Sequence, residues 1–124
     1  MAVLSCPPTY THELPGARFT SLATPSRGSV ETSVWQVELA PGEPGRPHRL
    51  TREEVFVILE GVAEVRLDDT VAQAHPGDAI VVPPGVAFAL AAAGGRPLRA
   101  LCCLPVGGQG ILADGDPFTP PWAR

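Results

Sequence analysis

Hydrophobic and polar positions alternate along much of this 124-residue chain, the period-two pattern of strands with one buried face. Between Ser33 and Ala40, Trp35, Val37 and Leu39 fall on one side and Gln36 and Glu38 on the other. Glu54–Glu60 (EVFVILE) is instead a continuous β-branched and aromatic run ending at Gly61. It predicts a strand buried on both faces, with Glu54 as its charged entry point. Val62–Leu67 alternates again, Asp68-Asp69-Thr70 supplies turn chemistry, and Val71–Ala74 returns, which reads as a hairpin. After the turn His75-Pro76-Gly77-Asp78 come strands at Ala79–Val82, Val86–Ala92 and Leu98–Leu104, interrupted by Pro83-Pro84-Gly85 and stopped by Pro105. Pro41–Pro47 (PGEPGRP) is a loop, because its prolines remove backbone donors and its glycines loosen the chain. The pattern yields about seven or eight strands and no helix.

So many strands in so short a chain must close on themselves or stack in two layers to avoid open edges. The expectation is an all-β jelly roll or small barrel occupying residues 1–124 as one domain, with an irregular N-terminal arm over about 1–30 and a tail over about 105–124. Such barrels enclose a cavity, so chemistry is sought among inward-pointing side chains. Parity turns Glu54, Phe56 and Ile58 inward on one strand, Val86, Phe88 and Leu90 on another, and Leu98, Ala100, Cys102 and Leu104 on the last, with Arg99 outward. The tail aromatics Phe118 and Trp122 are expected to pack on the barrel or on a partner.

Composition narrows the function classes. Fifteen Pro and thirteen Gly beside 44% hydrophobic residues suit a strand-and-turn fold. A formal net charge of −4, with nine scattered Lys and Arg, gives no stripe for a phosphate backbone, so no nucleic-acid partner is expected. No apolar run is long enough to span a membrane, and a cytoplasmic protein is the expectation. Cys6, Cys102 and Cys103 form neither an even disulfide framework nor a CxxC pattern and read as reduced thiols.

Gly42, His48, Glu54 and Gly61, followed by Gly77, Pro83 and Gly85, stand at the spacings of two consecutive sequence motifs, over about 42–61 and 77–92. On these residues the chain resembles the cupin superfamily of small single-domain barrels. The resemblance implies a divalent metal (Fe, Mn, Ni or Zn) held by two histidines and a glutamate of the first motif and a histidine of the second. Here the second histidine of the first motif is Leu50, that of the second motif is Phe88, and the terminal asparagine position is Ala92. Leu and Phe have no lone pair to donate, so only His48 and Glu54 remain from the ligand set, and no metal or other cofactor is expected.

His48 and Glu54 are thus the candidate catalytic pair, and His48, Leu50, Glu54, Phe56, Phe88, Leu90 and Cys102 the candidate ligand pocket. Three readings stay open beside a plainly filled core. A metal-free barrel binds a small, largely apolar molecule. A metal-dependent dioxygenase or isomerase recruits His12 or Cys102 as substitute ligand. A metal-free isomerase or cyclase uses His48 and Glu54 as acid and base. A bland alternative hydrogen-bonds His48 to Glu54 at the barrel mouth, where each simply satisfies the other. The apolar outer residues Ala87–Ala91, Val55, Val57 and Leu59 lead to the expectation of a homodimer.

Overall fold

The alternating segments pair into two antiparallel sheets whose apolar faces meet as a jelly-roll barrel. The computed structural model describes residues 1–124. Its strands are β1 (His12–Leu14), β2 (Ala17–Ala23), β3 (Thr32–Leu39), β4 (His48–Leu50), β5 (Glu54–Glu60), β6 (Val62–Leu67), β7 (Thr70–Ala74), β8 (Ala79–Val82), β9 (Phe88–Ala93), β10 (Leu98–Pro105) and β11 (Gly110–Leu112). One sheet has the order β1-β2-β3-β10-β5-β8 and the other β11-β4-β9-β6-β7. There is no α-helix, and no helix long and apolar enough to cross a membrane.

The parity argument places the core correctly. Leu98, Ala100, Cys102 and Leu104 of β10 are each at most 1% exposed, and Phe56 and Ile58 of β5 face them from the neighbouring strand. Arg99 points outward and pairs with Glu60. β6 and β7 form the expected hairpin, closing at Asp68 with φ of 50°. Gly61, between β5 and β6, combines φ of 80° with a backbone so close that a Cβ there would stand 2.3 Å from the Pro97 carbonyl oxygen. Only glycine fits that position.

Three expectations need correction. β5 is fully buried on one face only, because Val55, Val57 and Leu59 lie half-exposed on the outside of the sheet. Val86 and Ala87 precede β9 rather than opening it, since the Pro83–Gly85 turn extends to Val86, whose N–H turns back to the Pro83 carbonyl. Most substantially, the arm and tail are structured. The arm supplies the hairpin β1–β2 at the sheet edge, and the tail supplies β11, paired through Gly110 to Leu50.

The tail beyond β11 is pinned by three serine hydroxyls. Ser21, Ser33 and Ser26 donate to the carbonyls of Trp122, Ala123 and Arg124 at 2.7, 2.8 and 2.8 Å. The Trp122 ring lies flat on Phe19 of β2, with ring centres 3.6 Å apart and planes 5° from parallel. The two sheets and this strap leave a cavity between them.

Candidate functional site

The cavity has a volume of about 240 Å³. His48, Leu50, Glu54, Phe56, Phe88, Leu90 and Cys102 all line it, and Ile58 and Val86 do not. Strand register explains the convergence. β4 places His48 directly opposite Phe88 of β9, and their rings lie 4.2 Å apart. β5 starts at Glu54, opposite Val82, so that Glu54 and Phe56 share the inward face. The Phe56 ring reaches Phe88 across the cavity wall at 5.9 Å.

Glu54 is 5% exposed and takes part in no hydrogen bond or ion pair of the structure. No side-chain polar atom is sealed inside the protein without a partner, so the Glu54 oxygens open onto the cavity rather than onto a protein group. Burial of the charged form, uncompensated by any donor, pushes its pKa up to about 8. At neutral pH the side chain is mainly the uncharged acid, able to donate one hydrogen bond and accept others.

His48 is not the partner of Glu54, so the alternative of a self-satisfied pair at the mouth does not hold. Its Nδ1–H donates to the Arg46 carbonyl at 2.9 Å. A carbonyl only accepts, so this bond fixes the tautomer and leaves Nε2 with a free lone pair. Burial lowers the imidazole pKa, and the Arg46 bond opposes that shift in part. The site therefore holds an acid that keeps its proton and an imidazole that gives its proton up.

The donor set does not fit the metal centre the motifs imply. Leu50 and Phe88, 3% and 2% exposed, occupy two of the ligand positions with hydrocarbon, and no three His, Cys, Asp or Glu side chains gather anywhere in the structure. The proposed substitutes do not supply the missing ligands. His12 belongs to the edge strand β1, bonds to the Thr11 hydroxyl, and is absent from the cavity wall. Cys102 does line the cavity, but burial pushes its thiol well above the usual range, and it stays protonated. With its proton on it is no nucleophile at neutral pH, and it forms no three-residue metal-holding group with His48 and Glu54.

Several wall residues were not among the candidate pocket residues. Trp35 and Val37 of β3 line the cavity, and their shared face with the barrel core was a usable signal. Phe118, Pro120 and Trp122 come from the tail, whose position no local pattern reveals. Arg46 was missed as well. It is exposed, stands at the rim, and is the one guanidinium among the lining groups. Its loop is brought there by Gly45, where a Cβ would come within 2.8 Å of the Leu90 carbonyl oxygen.

Comparison with known proteins fixes the family. The cupin domain (Cupin_2) matches residues 35–104, more than half of the chain. An uncharacterised protein of Methanocaldococcus jannaschii, MJ1618, is 38% identical over 53 residues, which are 43% of this chain and 42% of that protein's own length. Among solved structures, the polyketide cyclase RemF from Streptomyces resistomycificus superposes with a TM-score of 0.73 at 21% identity, covering 82% of this chain and 73% of RemF. KdgF from Halomonas superposes at 0.68 with 20% identity, covering 78% and 86%. At these identities the two structures speak for the fold, and with the matched family segment they leave one conclusion: this chain belongs to the cupin domain family.

Proposed function

We propose that the protein binds a small, largely apolar molecule in the barrel cavity without a metal, using Glu54 and His48 as its polar groups. The observation that carries this reading is the Glu54 carboxyl, buried and without a protein partner, facing a cavity walled by Leu50, Phe56 and Phe88. An unpaired buried polar group costs free energy, on the order of 1–3 kcal/mol, until something hydrogen-bonds it. A ligand supplies that partner while its apolar body covers the aromatic wall. Three free cysteines, Cys6, Cys102 and Cys103, suit a reducing compartment, which supports a cytoplasmic setting. The half-exposed apolar outer face of β5 and β10 supports a homodimer.

The test begins with elemental analysis of protein purified without added metal, beside a His48→Ala variant. Stoichiometric metal in the parent that disappears in the variant would overturn the reading. Thermal shifts against a library of small metabolites then identify ligands by their stabilisation of the folded state. A genuine hit loses its shift in Leu90→Trp, which fills the cavity from β9.

A second reading is favoured by one observation, the opposite protonation preferences of the two polar groups. An uncharged acid and an unprotonated imidazole facing one cavity suit an isomerase or cyclase that moves protons on a carbonyl compound. Deuterium uptake from heavy water into a bound ketone, abolished in both Glu54→Gln and His48→Ala, distinguishes this from binding alone.

A further inference from the structure

The cavity is chemically polarised along its depth. Glu54 is a deeply buried group of its wall, while Arg46, which also lines it, is exposed and enters no ion pair of the structure. Glu43, the nearest acid in the same loop, packs over Gly16 and is not part of the cavity wall. The rim therefore presents a cation with no carboxylate among the lining groups to neutralise it except the buried Glu54. The cavity wall sets aromatic rings among aliphatic side chains, with the Phe88 ring 4.2 Å from that of His48 and 5.9 Å from that of Phe56. A cavity of about 150 Å³ accepts one benzene ring, so about 240 Å³ suits two fused rings.

From this arrangement we infer that the occupant is an amphiphilic organic acid: a flat aromatic body of about two rings, a carboxylate at the Arg46 rim, and a hydroxyl or carbonyl at the far end against Glu54. This rests on the cavity being the binding site proposed above. It makes Arg46 a specificity-determining residue through its side chain, while its backbone carbonyl separately orients His48. The two roles are separable, because a substitution at Arg46 leaves the carbonyl in place.

Three probes of one shape test it by isothermal titration calorimetry at neutral pH and low salt: 2-naphthol, 2-naphthoate and 6-hydroxy-2-naphthoate. The last carries both polar groups at opposite ends and is expected to bind tightest. Arg46→Gln, an exposed change that leaves the barrel intact, weakens both acids about fivefold, as for one partly exposed ion pair, and leaves 2-naphthol unchanged. Glu54→Leu brings 6-hydroxy-2-naphthoate down to the affinity of 2-naphthoate. Arg49→Gln, in the β4 strand that follows the Arg46 loop and absent from the cavity wall, changes nothing. Equal binding of 2-naphthol and the acids, or an acid preference that survives Arg46→Gln, overturns the inference while binding in the cavity stands. Failure of all three probes to bind overturns both.

Discussion

At the scale of single residues the site is defined by what replaced two imidazoles. Leu50 and Phe88 sit at motif positions whose identity was plain in the sequence, and both wall the cavity. What the sequence did not reveal was the partner of each remaining polar group. Adjacency in a motif suggested His48 with Glu54, whereas the short β4 strand turns Nδ1 back onto its own chain at Arg46. Glu54 is left alone, and this has a consequence for stability. Its pKa rises from 4.5 unfolded to about 8 folded, so between those values the folded chain holds a proton the unfolded chain has lost. Stability from this group is full below 4.5 and is lost as pH rises towards about 8. His48, depressed from 6.5, acts in the opposite sense and only below 6.5. From pH 6.5 to 8 the fall therefore belongs to Glu54 and amounts to about 2 kcal/mol at 1.36 kcal/mol per unit. Urea unfolding across that window is expected to show the decline in the parent and a flat profile in Glu54→Gln.

At the scale of elements, legibility followed pattern strength. β3, β5, β6 and β8 were readable because β-branched and aromatic residues alternate or run unbroken between strong turn residues. β2 was not, since the inward positions Phe19 and Ser21 alternate an aromatic with a hydroxyl, and the buried serine breaks the hydrophobic rhythm. Ser21 is inward because its hydroxyl holds the Trp122 carbonyl, a contact across 101 positions of the chain that no local window contains. β4 and β11 are three residues each, too short to carry a period. The tail is thus an element of the barrel wall, and the Phe19–Trp122 stack is its main apolar attachment. Trp122→Ala removes a half-buried indole and a stacked pair, at an expected cost of about 2 kcal/mol in chemical denaturation. Trp122→Phe keeps a ring on Phe19 and is expected to retain at least half of that stability. A loss in Trp122→Ala no greater than that of an exposed substitution would mean that the serine hydroxyls alone hold the strap.

At the scale of the whole molecule the two sheets present unlike outer surfaces, and the first is the one predicted to form the contact of the proposed homodimer. Across the first sheet the register aligns Val34, Cys103, Val55 and Val81 in one row, with Leu101, Val57 and Ala79 beside it. Val81 is 52% exposed, and the row crosses four strands without a charge. The second sheet carries Glu64 and Arg66 on β6 and Gln73 on β7, opposite Ala91, Ala89 and Glu64 respectively. Its alanines are therefore flanked by charge, and the prediction centres on the Val81 row of the first sheet. A flat apolar row of this kind is stabilised by burial against a like surface, and a two-fold contact brings the same row from each copy together. The prediction is a dimer in sedimentation velocity at micromolar concentration, converted to monomer by Val81→Lys, which places an unpaired ammonium in the middle of the contact. Gln73→Lys, an exposed change on the opposite sheet, is expected to leave the dimer intact. Because Arg46 stands at the cavity rim, outside the apolar row, the monomeric Val81→Lys variant should bind the naphthoate probes as the parent does. Loss of that binding on dissociation would place the partner copy at the cavity mouth instead.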